Sequence, residues 1–242
     1  MTRLILSISF VCFLLGNHSA SAQNAWHAEF NRLLKTYVKP GGIDYPSWQK
    51  NAADRAALSS VVDQMARAKI SGFSREGQLA FYLNGYNANI LDAALEKYGK
   101  EKSIKDGKLF FFKRTDFLLA GQTYSFEGLE NDVIRKKFSE PRIHFAINCA
   151  SHSCPPLRNE VYTEAALGQQ LAEQTKAFAN STESVRIDAG SKTLFFNEIF
   201  DWFSEDFGGD PVTYLNQYRS TPLPAGYKVK FYDYDWSFNV AK

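Results

Sequence analysis

One stretch, residues 142–156, places the strongest limits on the fold and chemistry of this chain. It reads RIHFAINCASHSCPP, so an apolar run leads directly into small, nucleophilic and histidine side chains and then two prolines. Such a run predicts a buried strand that ends in a loop, and functional side chains are often carried by loops on a rigid scaffold. We therefore expect a candidate site that contains Cys149 and Cys154, together with His144 and His152.

The first 22 residues have the composition of a secretory signal peptide. Arg3 precedes an apolar run over residues 4–15, and the small residues 20–22 form a cleavage site before Gln23. The apolar run is well short of the roughly 20 residues that span a bilayer, so we favour export over a membrane anchor. The sequence therefore predicts a periplasmic or secreted protein with no membrane span after signal removal.

The charge and the missing motifs exclude several classes of function. The 242 residues include 28 basic and 26 acidic side chains, and the formal net charge of +2 falls to +1 once Arg3 is removed with the signal peptide. A charge so close to zero gives no reason to expect nucleic acid as a partner. The sequence has no glycine-rich phosphate loop, no HExxH zinc helix and no G-x-S-x-G elbow, and its cysteines and histidines are too crowded for an ordinary structural zinc site. We predict no metal and no cofactor; the expected partner is a small-molecule or peptide substrate, and the sequence identifies no protein partner.

The two cysteines that remain after signal removal, Cys149 and Cys154, allow three interpretations. Oxidising compartments favour a disulfide that staples the short loop between them. Alternatively, one of them is a catalytic thiolate, which requires a lowered pKa and partial access to solvent. In the third interpretation both are buried, reduced and inert.

The histidines also have ordinary interpretations. If residues 142–149 form one regular strand, His144 and Cys149 point to opposite faces, so His144 reaches Cys149 only across a bulge or strand end. His144 could instead face Cys154, contact Asn87, or be a hydrogen-bonded core histidine. His152 has the simple alternative of an exposed loop residue.

The pattern of helices and hairpins predicts an α+β fold. Helical and extended segments mix without a regular βαβ alternation, which favours one domain with several helices packed on a mixed or antiparallel sheet with short hairpins. The predicted helices cover residues 26–38, 52–68, 74–98, 125–138, 162–179, 198–203 and 210–218. The predicted strands cover residues 109–112, 117–119, 122–126, 142–149, 185–187, 193–196 and 227–232. We divide the chain into a signal peptide (1–22), an N-terminal helical extension packed on the domain (23–57) and the domain itself (58–242).

The long helix over residues 74–98 carries two asparagines toward its apolar side. Asn87 falls near the middle of the apolar arc and Asn84 at its edge. A buried amide without hydrogen bonds costs roughly 1–3 kcal/mol, so each needs partners. Asn87 either ties the helix to a nearby loop or orients a group in the site. The residues expected to face water are Gly85, Asn89, Asp92 and Glu96.

Three blocks of the sequence resemble the DUF547 family. They are residues 81–88 (FYLNGYNA), residues 141–157 (PRIHFAINCASHSCPPL) and residues 234–239 (YDWSFN). The resemblance extends over roughly residues 58–239 and implies an exported bacterial member without the coiled coil of the plant proteins. It implies which residues to consider and supplies no mechanism. The implied residues are Asn84, Tyr86, Asn87, Arg142, His144, Asn148, Cys149, Ser151, Cys154 and Pro155.

The leading hypothesis is a thiol-centred enzyme, a cysteine-dependent hydrolase or transferase that performs acyl transfer or amide hydrolysis. Cys149 is the expected nucleophile, with Cys154 as second choice, and His144 is the expected general base. Asn84 or Asn87 would orient the imidazole or donate a hydrogen bond to an oxyanion. The expected ligand-binding residues are Tyr86, Arg142, Asn148, Ser151 and His152.

The alternative hypothesis is a non-catalytic periplasmic binding module. In it, a Cys149–Cys154 disulfide staples the loop, and the many aromatic residues line a groove for a ligand or a protein. A thiol–disulfide exchanger is a weaker third option, because four residues separate the cysteines where exchange enzymes have two.

Overall fold

The computed structural model describes residues 17–107 and 110–242, with side chains from Trp26 onward. The predicted signal peptide lies largely outside the described residues, and so does the beginning of the predicted strand at 109–112. Within the described part of the chain, no helix combines the length and the apolar composition that crossing a membrane requires.

Short helices and short strands follow one another along the chain. The helices are α1 (Asn17–Tyr37), α2 (Tyr45–Lys50), α3 (Ala52–Ala66), α4 (Arg75–Lys97), α5 (Phe111–Arg114), α6 (Phe126–Gly128), α7 (Lys136–Phe138), α8 (Leu167–Ala179), α9 (Ile199–Trp202) and α10 (Pro211–Asn216). The strands are β1 (Val38–Lys39), β2 (Gly42–Ile43), β3 (Asp116–Leu119), β4 (Gln122–Ser125), β5 (Val185–Asp188), β6 (Thr193–Asn197) and β7 (Lys228–Tyr232). A π-helical segment, Leu129–Arg135, joins α6 to α7, and 3₁₀ helices occupy Pro141–Phe145, Glu164–Ala166 and Ser204–Phe207.

The strands form small sheets, so the helices rather than one large sheet organise the molecule. β1 pairs with β2 and β3 with β4, both antiparallel. β6 is the central strand of a three-stranded sheet, antiparallel to β5 and parallel to β7. The predicted α+β fold class, with its short hairpins, is confirmed. The predicted strand at 109–112 is wrong from Phe111 onward, where α5 begins.

Local capping chemistry explains where several helices begin. The Ser74 side chain accepts a hydrogen bond from the Gly77 N–H at the start of α4, which satisfies one of the unpaired amides of the first turn. Asp210 caps α10 in the same way, with Pro211 at the first helical position. These starts agree with the predicted ones because the signal lies within a few residues of sequence.

Helix α4 lies at the centre of the molecule and is buried on every side through its middle. α3 packs against it and against α1, so the predicted boundary at residue 57 falls inside a helix that contacts both. Gly85 and Asn89, which were expected to face water, are buried. The β3–β4 hairpin covers that side, and a Cβ at Gly85 would lie 2.7 Å from the Leu119 side chain. The helical pattern alone does not reveal a hairpin that packs on the polar side.

Residues 142–149 are not a strand, contrary to prediction. Pro141–Phe145 is a 3₁₀ helix that begins where the Glu140 side chain accepts a hydrogen bond from the Arg142 N–H, and an irregular loop follows. The run is apolar on all sides because it lies between two hydrophobic clusters. Ile143 and Ile147 pack with the cluster around α1, α3 and α4, while Phe145 packs with the cluster around α8, β6 and α9. The stretch therefore forms the seam between the two cores.

The closing segment, residues 233–241, runs beside the loop that carries Cys149 and Cys154, which we call the cysteine loop. The N–H groups of His152 and Ser153 donate to the carbonyls of Ser237 and Asp235, at 2.7 and 3.2 Å. The same segment reaches the N-terminal part of the chain, where the Ile43 N–H donates to the Asn239 carbonyl at 2.8 Å. The three blocks that carried the family resemblance thus meet in one region of the fold.

Candidate functional site

A cavity of about 290 Å³ opens at the seam between the two cores. It is lined by Tyr86 of α4, by the cysteine loop, by the π-helical segment and by the closing segment. Cys149, Cys154 and His144 all contribute to its wall. The structure therefore brings the predicted nucleophiles and the predicted base into one concave site, the usual form of a small-molecule site.

Asparagine side chains hold the backbone of the cysteine loop in place. The Asn87 amide donates to the Ala146 carbonyl and accepts from the Asn148 N–H, both at 2.9 Å. The Asn148 amide in turn donates to the Pro155 carbonyl and accepts from the Ala150 N–H, again at 2.9 Å. Because all these groups are buried, each bond satisfies a polar atom that would otherwise be costly to bury. Asn87 thus ties the central helix to the loop, one of the two interpretations considered above.

The backbone turns sharply directly after Cys149. Ala150 has φ +59°, in the left-handed region that L residues rarely adopt, and it is completely buried. This conformation costs about 1–2 kcal/mol for a residue with a Cβ. The turn brings the Ser151 side chain back to the Cys149 sulfur. Strain of this kind persists where surrounding hydrogen bonds fix the backbone, as the Asn148 amide does here.

Several hydrogen-bond donors surround the Cys149 sulfur. Ser151 Oγ lies 2.7 Å from Sγ and Tyr234 Oη lies 3.1 Å from it. The two hydroxyls are also within hydrogen-bonding distance of each other, at 3.3 Å. Cys154 Sγ is close as well, because it accepts a hydrogen bond from the Cys149 N–H at 3.0 Å. Both cysteines are free thiols in the structure, and Cys149 is only half-buried while Cys154 is buried.

These donors make Cys149 and Cys154 chemically different. Burial raises the pKa of Cys149, but hydrogen bonds from Cys154, Ser151 and Tyr234 outweigh that effect and lower the pKa from 9.0 to about 7. Burial, followed by the neighbouring Cys149 sulfur, raises the pKa of Cys154 well above its ordinary value. The two shifts favour the thiolate at Cys149 and the thiol at Cys154.

Acidic groups lie on both sides of the His144 ring. Nε2 donates to Asp206 Oδ2 at 2.7 Å, and Nδ1 lies 3.4 Å from Glu130 Oε1 without a proper hydrogen bond. Burial lowers the pKa of His144, but the hydrogen bond to Asp206 and the nearby Glu130 carboxylate more than offset this and raise it above 6.5. The ring also stacks on Phe203, with centroids 4.0 Å apart. No hydrogen bond joins His144 to Cys149 among the described side chains, so the two act separately within one cavity.

The π-helical segment supplies the groups that orient His144. Glu130 and Arg135 lie five residues apart on it, and Arg135 binds Asp206 through two nitrogens at 2.6 and 2.9 Å. Bonds from His144 first, and then from Arg135, hold the pKa of Asp206 well below its usual range. Asp206 is therefore a charged acceptor at neutral pH and fixes the proton on Nε2 of His144. Short π-helical segments are often found at functional sites, since the wider turn re-aims side chains.

An aromatic rim surrounds the mouth of the cavity. We define it as Trp202, Tyr234 and Trp236, whose ring centroids are 4.6–5.7 Å apart. Trp202 is 44% exposed. Phe112 also packs near Trp236, with ring centroids 5.9 Å apart, and Lys105 Nζ lies 3.8 Å from the centre of the Trp236 ring. The rim gives the site flat apolar surface next to the sulfur.

The remaining predicted site residues lie elsewhere. Asn84 exchanges two hydrogen bonds with the backbone of Tyr162, at 2.8 and 2.9 Å. Arg142 forms an ion pair with Glu140, and His152 is exposed. Within the described part of the chain, none of these three side chains lines the cavity. Neither Asn84 nor Asn87 bonds to His144 or Cys149, so the geometry gives both amides a role in positioning backbone.

Sequence reasoning missed most of the residues that complete the site. Glu130 and Asp206 flank His144 and Arg135 holds Asp206, yet nothing in their local sequence marks them. Trp202 was expected only as part of a short aromatic helix. Tyr234 belongs to the third resemblance block, and that block was the one signal that could have pointed to it.

Comparison with known proteins finds one family model that matches the segment containing the central part of this site. A family model described as a protein of unknown function, DUF547, matches residues 70–179. Comparisons with curated proteins and with solved structures found no match. The matched segment contains α4, His144 and both cysteines, whereas Asp206 and Tyr234 lie beyond it. The resemblance of this chain to the DUF547 family is therefore confirmed over residues 70–179.

Proposed function

We propose that this protein is a cysteine-dependent enzyme that transfers or hydrolyses acyl groups, with Cys149 as the nucleophile. The observation that carries the proposal is the placement of the Ser151 and Tyr234 hydroxyls, 2.7 and 3.1 Å from a half-buried Cys149 sulfur in a cavity, which lowers the pKa of that thiol. A thiolate is far more nucleophilic than a thiol, and structural cysteines do not need such donors. Cys154, buried and protonated, is assigned the role of a donor to that thiolate.

His144 acts on the leaving group and on water, and not on Cys149. The thiolate already forms without it, and no hydrogen bond links the two side chains among the described residues. Its Nδ1 is buried, lacks a hydrogen bond and belongs to a ring in the cavity wall. A buried nitrogen without a partner calls for an explanation, and a proton acceptor or donor for substrate supplies one. Asp206 is a positioning residue that holds the proton on Nε2.

The chemistry proceeds in two balanced steps. First, the Cys149 sulfur bonds to the acyl carbon, the bond to the leaving nitrogen or oxygen breaks, and the leaving group takes a proton from the His144 imidazolium. Then water attacks the thioester carbon and gives a proton to His144, the C–S bond breaks, and the acid and the thiolate are released. An amine or alcohol in place of water makes the reaction a transfer.

Tyr234 is the proposed donor to the oxyanion that develops during both steps. Burial first, and then the nearby Cys149 and Cys154 sulfurs, raise its pKa well above the ordinary value, so the hydroxyl keeps its proton. It already lies 3.1 Å from the attacking sulfur. A preorganised donor near the reacting carbon is commonly the largest single contribution to acyl transfer.

A p-nitrophenyl acetate assay tests the proposal without knowledge of the natural substrate. We expect release of p-nitrophenolate and an acetyl group on Cys149, detected by mass spectrometry of the digested protein. Cys149→Ala abolishes both signals, while the matched variant Cys154→Ser keeps the acetyl adduct. His144→Asn still acylates but turns over about 10²-fold more slowly, because deacylation loses its base. Turnover by Cys149→Ala at the wild-type rate, or acetylation elsewhere with Cys149 unmodified, would refute the assignment.

We also propose that the enzyme acts after export. The support is the sequence of residues 1–22, with its apolar run and small-residue cleavage site. N-terminal sequencing of protein from the periplasmic fraction is expected to begin at Gln23. Protein found only in the cytoplasm, with residues 1–22 still attached, contradicts this proposal.

A further inference from the structure

The cavity wall has a consistent sign of charge. Glu127 and Glu130 line it, and no lysine or arginine does so among the described residues. When Cys149 is a thiolate and His144 is protonated, three negative groups face one positive group. The wall then carries a net charge of −2. A low-dielectric cleft lined by one sign of charge concentrates ligands of the opposite sign.

Basic side chains near the cavity neutralise its carboxylates only in part. Lys113 lies 3.9 Å from Glu127, but the two side chains are 67% and 46% exposed, and such surface pairs are weak in water. Arg135 is held by Asp206, to which it donates two hydrogen bonds. Lys105 Nζ lies over the Trp236 ring. Glu127 therefore keeps most of its capacity to attract a cation.

The aromatic rim offers a second means of holding a cation. Lys105 Nζ lies 3.8 Å from the centre of the Trp236 ring, so an ammonium already binds one ring face there. Trp202 stacks on Trp236 with an angle of 17° between ring planes and is 44% exposed. Indole rings are the strongest cation–π partners among side chains. Carboxylates and indoles together are the chemistry that recognises an organic ammonium.

We propose that the acyl group transferred by Cys149 carries a positively charged amine. This inference rests on the proposed thiol chemistry and names its substrate class. The ammonium lies between Trp202 and the carboxylates of Glu127 and Glu130, and the acyl carbon lies at the Cys149 sulfur. The specificity determinants are therefore Glu127 and Trp202, while Cys149 and His144 carry the chemistry.

Charge-selective thiol reagents test this with no substrate in hand. Three methanethiosulfonates, with trimethylammonium, neutral methyl and sulfonate tails, each transfer a thioalkyl group to the Cys149 thiolate as methanesulfinate leaves. Rates at Cys149, located by mass spectrometry, are divided by those of a small reference thiol. A net unit of charge about 8 Å away, at a dielectric between protein and water, changes such a rate by about fivefold. We expect the cationic reagent to exceed the anionic one by about 25-fold or more, since the two respond in opposite directions.

Variants separate the local effect from overall charge. Glu127→Gln should reduce the cation-to-anion rate ratio by about 25-fold, whereas Glu173→Gln, which removes the same charge from exposed α8, should leave it unchanged. Trp202→Leu should slow the cationic reagent more than the neutral one, so the ratio of the cationic to the neutral rate should fall. A second arm compares an ω-aminoalkanoyl p-nitrophenyl ester with the alkanoyl ester of equal chain length, and the ammonium ester should have the higher kcat/KM.

The outcomes distinguish the two proposals. Fast reaction with the neutral reagent and a ratio of one, or a preference for the anionic reagent, overturns the cationic substrate and leaves the nucleophile assignment intact. Slow reaction with all three reagents overturns the nucleophile assignment and this inference with it. An equal effect of Glu127→Gln and Glu173→Gln would show that overall charge and not the cavity governs the rates, which also overturns the inference.

Discussion

The hydroxyl of Tyr234 should control the acidity of Cys149, and Tyr234→Phe removes that hydroxyl alone. The variant keeps the ring that packs with Trp202 and Trp236. In the wild type the hydrogen-bond donors lower the Cys149 pKa from 9.0 to about 7, which corresponds to roughly 3 kcal/mol in favour of the thiolate. This net value already includes burial, which acts in the opposite direction.

The expected size of the change follows from the hydrogen bond that is lost. A hydrogen bond to a charged group contributes about 1.5–3 kcal/mol, and the 3.1 Å distance to Tyr234 places this one at the lower end. The pKa of Cys149 should therefore rise by about one unit, to about 8. At pH 7 the thiolate fraction then falls from about one half to about one tenth, so alkylation slows about fivefold.

The assay is the rate of iodoacetamide alkylation at Cys149 as a function of pH, with the modified peptide quantified by mass spectrometry. Tyr232→Phe is the matched control. It removes a hydroxyl that lies two residues away and bonds to Asn197 and the Glu183 carbonyl, but it does not touch the sulfur. An alkylation midpoint that stays near pH 7 in Tyr234→Phe, or that moves equally in both variants, refutes the reasoning.

Two further predictions concern stability. A Cβ at Gly42, where φ is +154°, would overlap the Asn239 carbonyl. Gly42→Ala should therefore lower the free energy of unfolding, measured by urea titration, by about 3 kcal/mol or more. The control Gly41→Ala, at φ +84° in open space, should lower it by only about 1 kcal/mol. Asp206→Asn should lower the free energy of unfolding by about 2 kcal/mol near pH 5 and by less near pH 9. The raised pKa of His144 stabilises the fold below about pH 6.5, and that contribution disappears as the pH rises through the raised pKa. A difference in the free energy of unfolding between wild type and Asp206→Asn that grows with pH would contradict the Asp206 prediction.

Much of the fold follows from chemistry that is local in sequence. Ser74 and Asp210 mark helix starts because the capping side chain lies two or three residues from the amide it satisfies. The hairpins at β3–β4 and β5–β6 are marked by turn residues between short apolar runs. The strand predicted at residues 142–149 was wrong for a physical reason. An almost wholly apolar run has no alternation of polar and apolar residues that could distinguish a strand from a helix or a buried loop. Burial between two cores produces the same pattern as burial within a sheet.

The site itself was predictable only in part. Cys149 and His144 stand out because such residues are rare in the chain and fall in one motif. Their partners do not, since Asp206 is 62 residues from His144 and Tyr234 is 85 residues from Cys149. Asn84 and Asn87 were correctly expected to need partners. Which partners they have depends on packing, which the helical pattern does not specify.

The closing segment has a consequence for the order in which the protein becomes active. Cys149 owes part of its acidity to Tyr234, and the segment that carries Tyr234 also pairs with Ile43 through Asn239, almost the full length of the chain away. Contacts this distant in sequence form late and slowly, because most of the chain must be ordered first. Until they form, Cys149 is an ordinary thiol with low reactivity. We therefore expect the lowered pKa of Cys149 to appear only once these distant segments have come together.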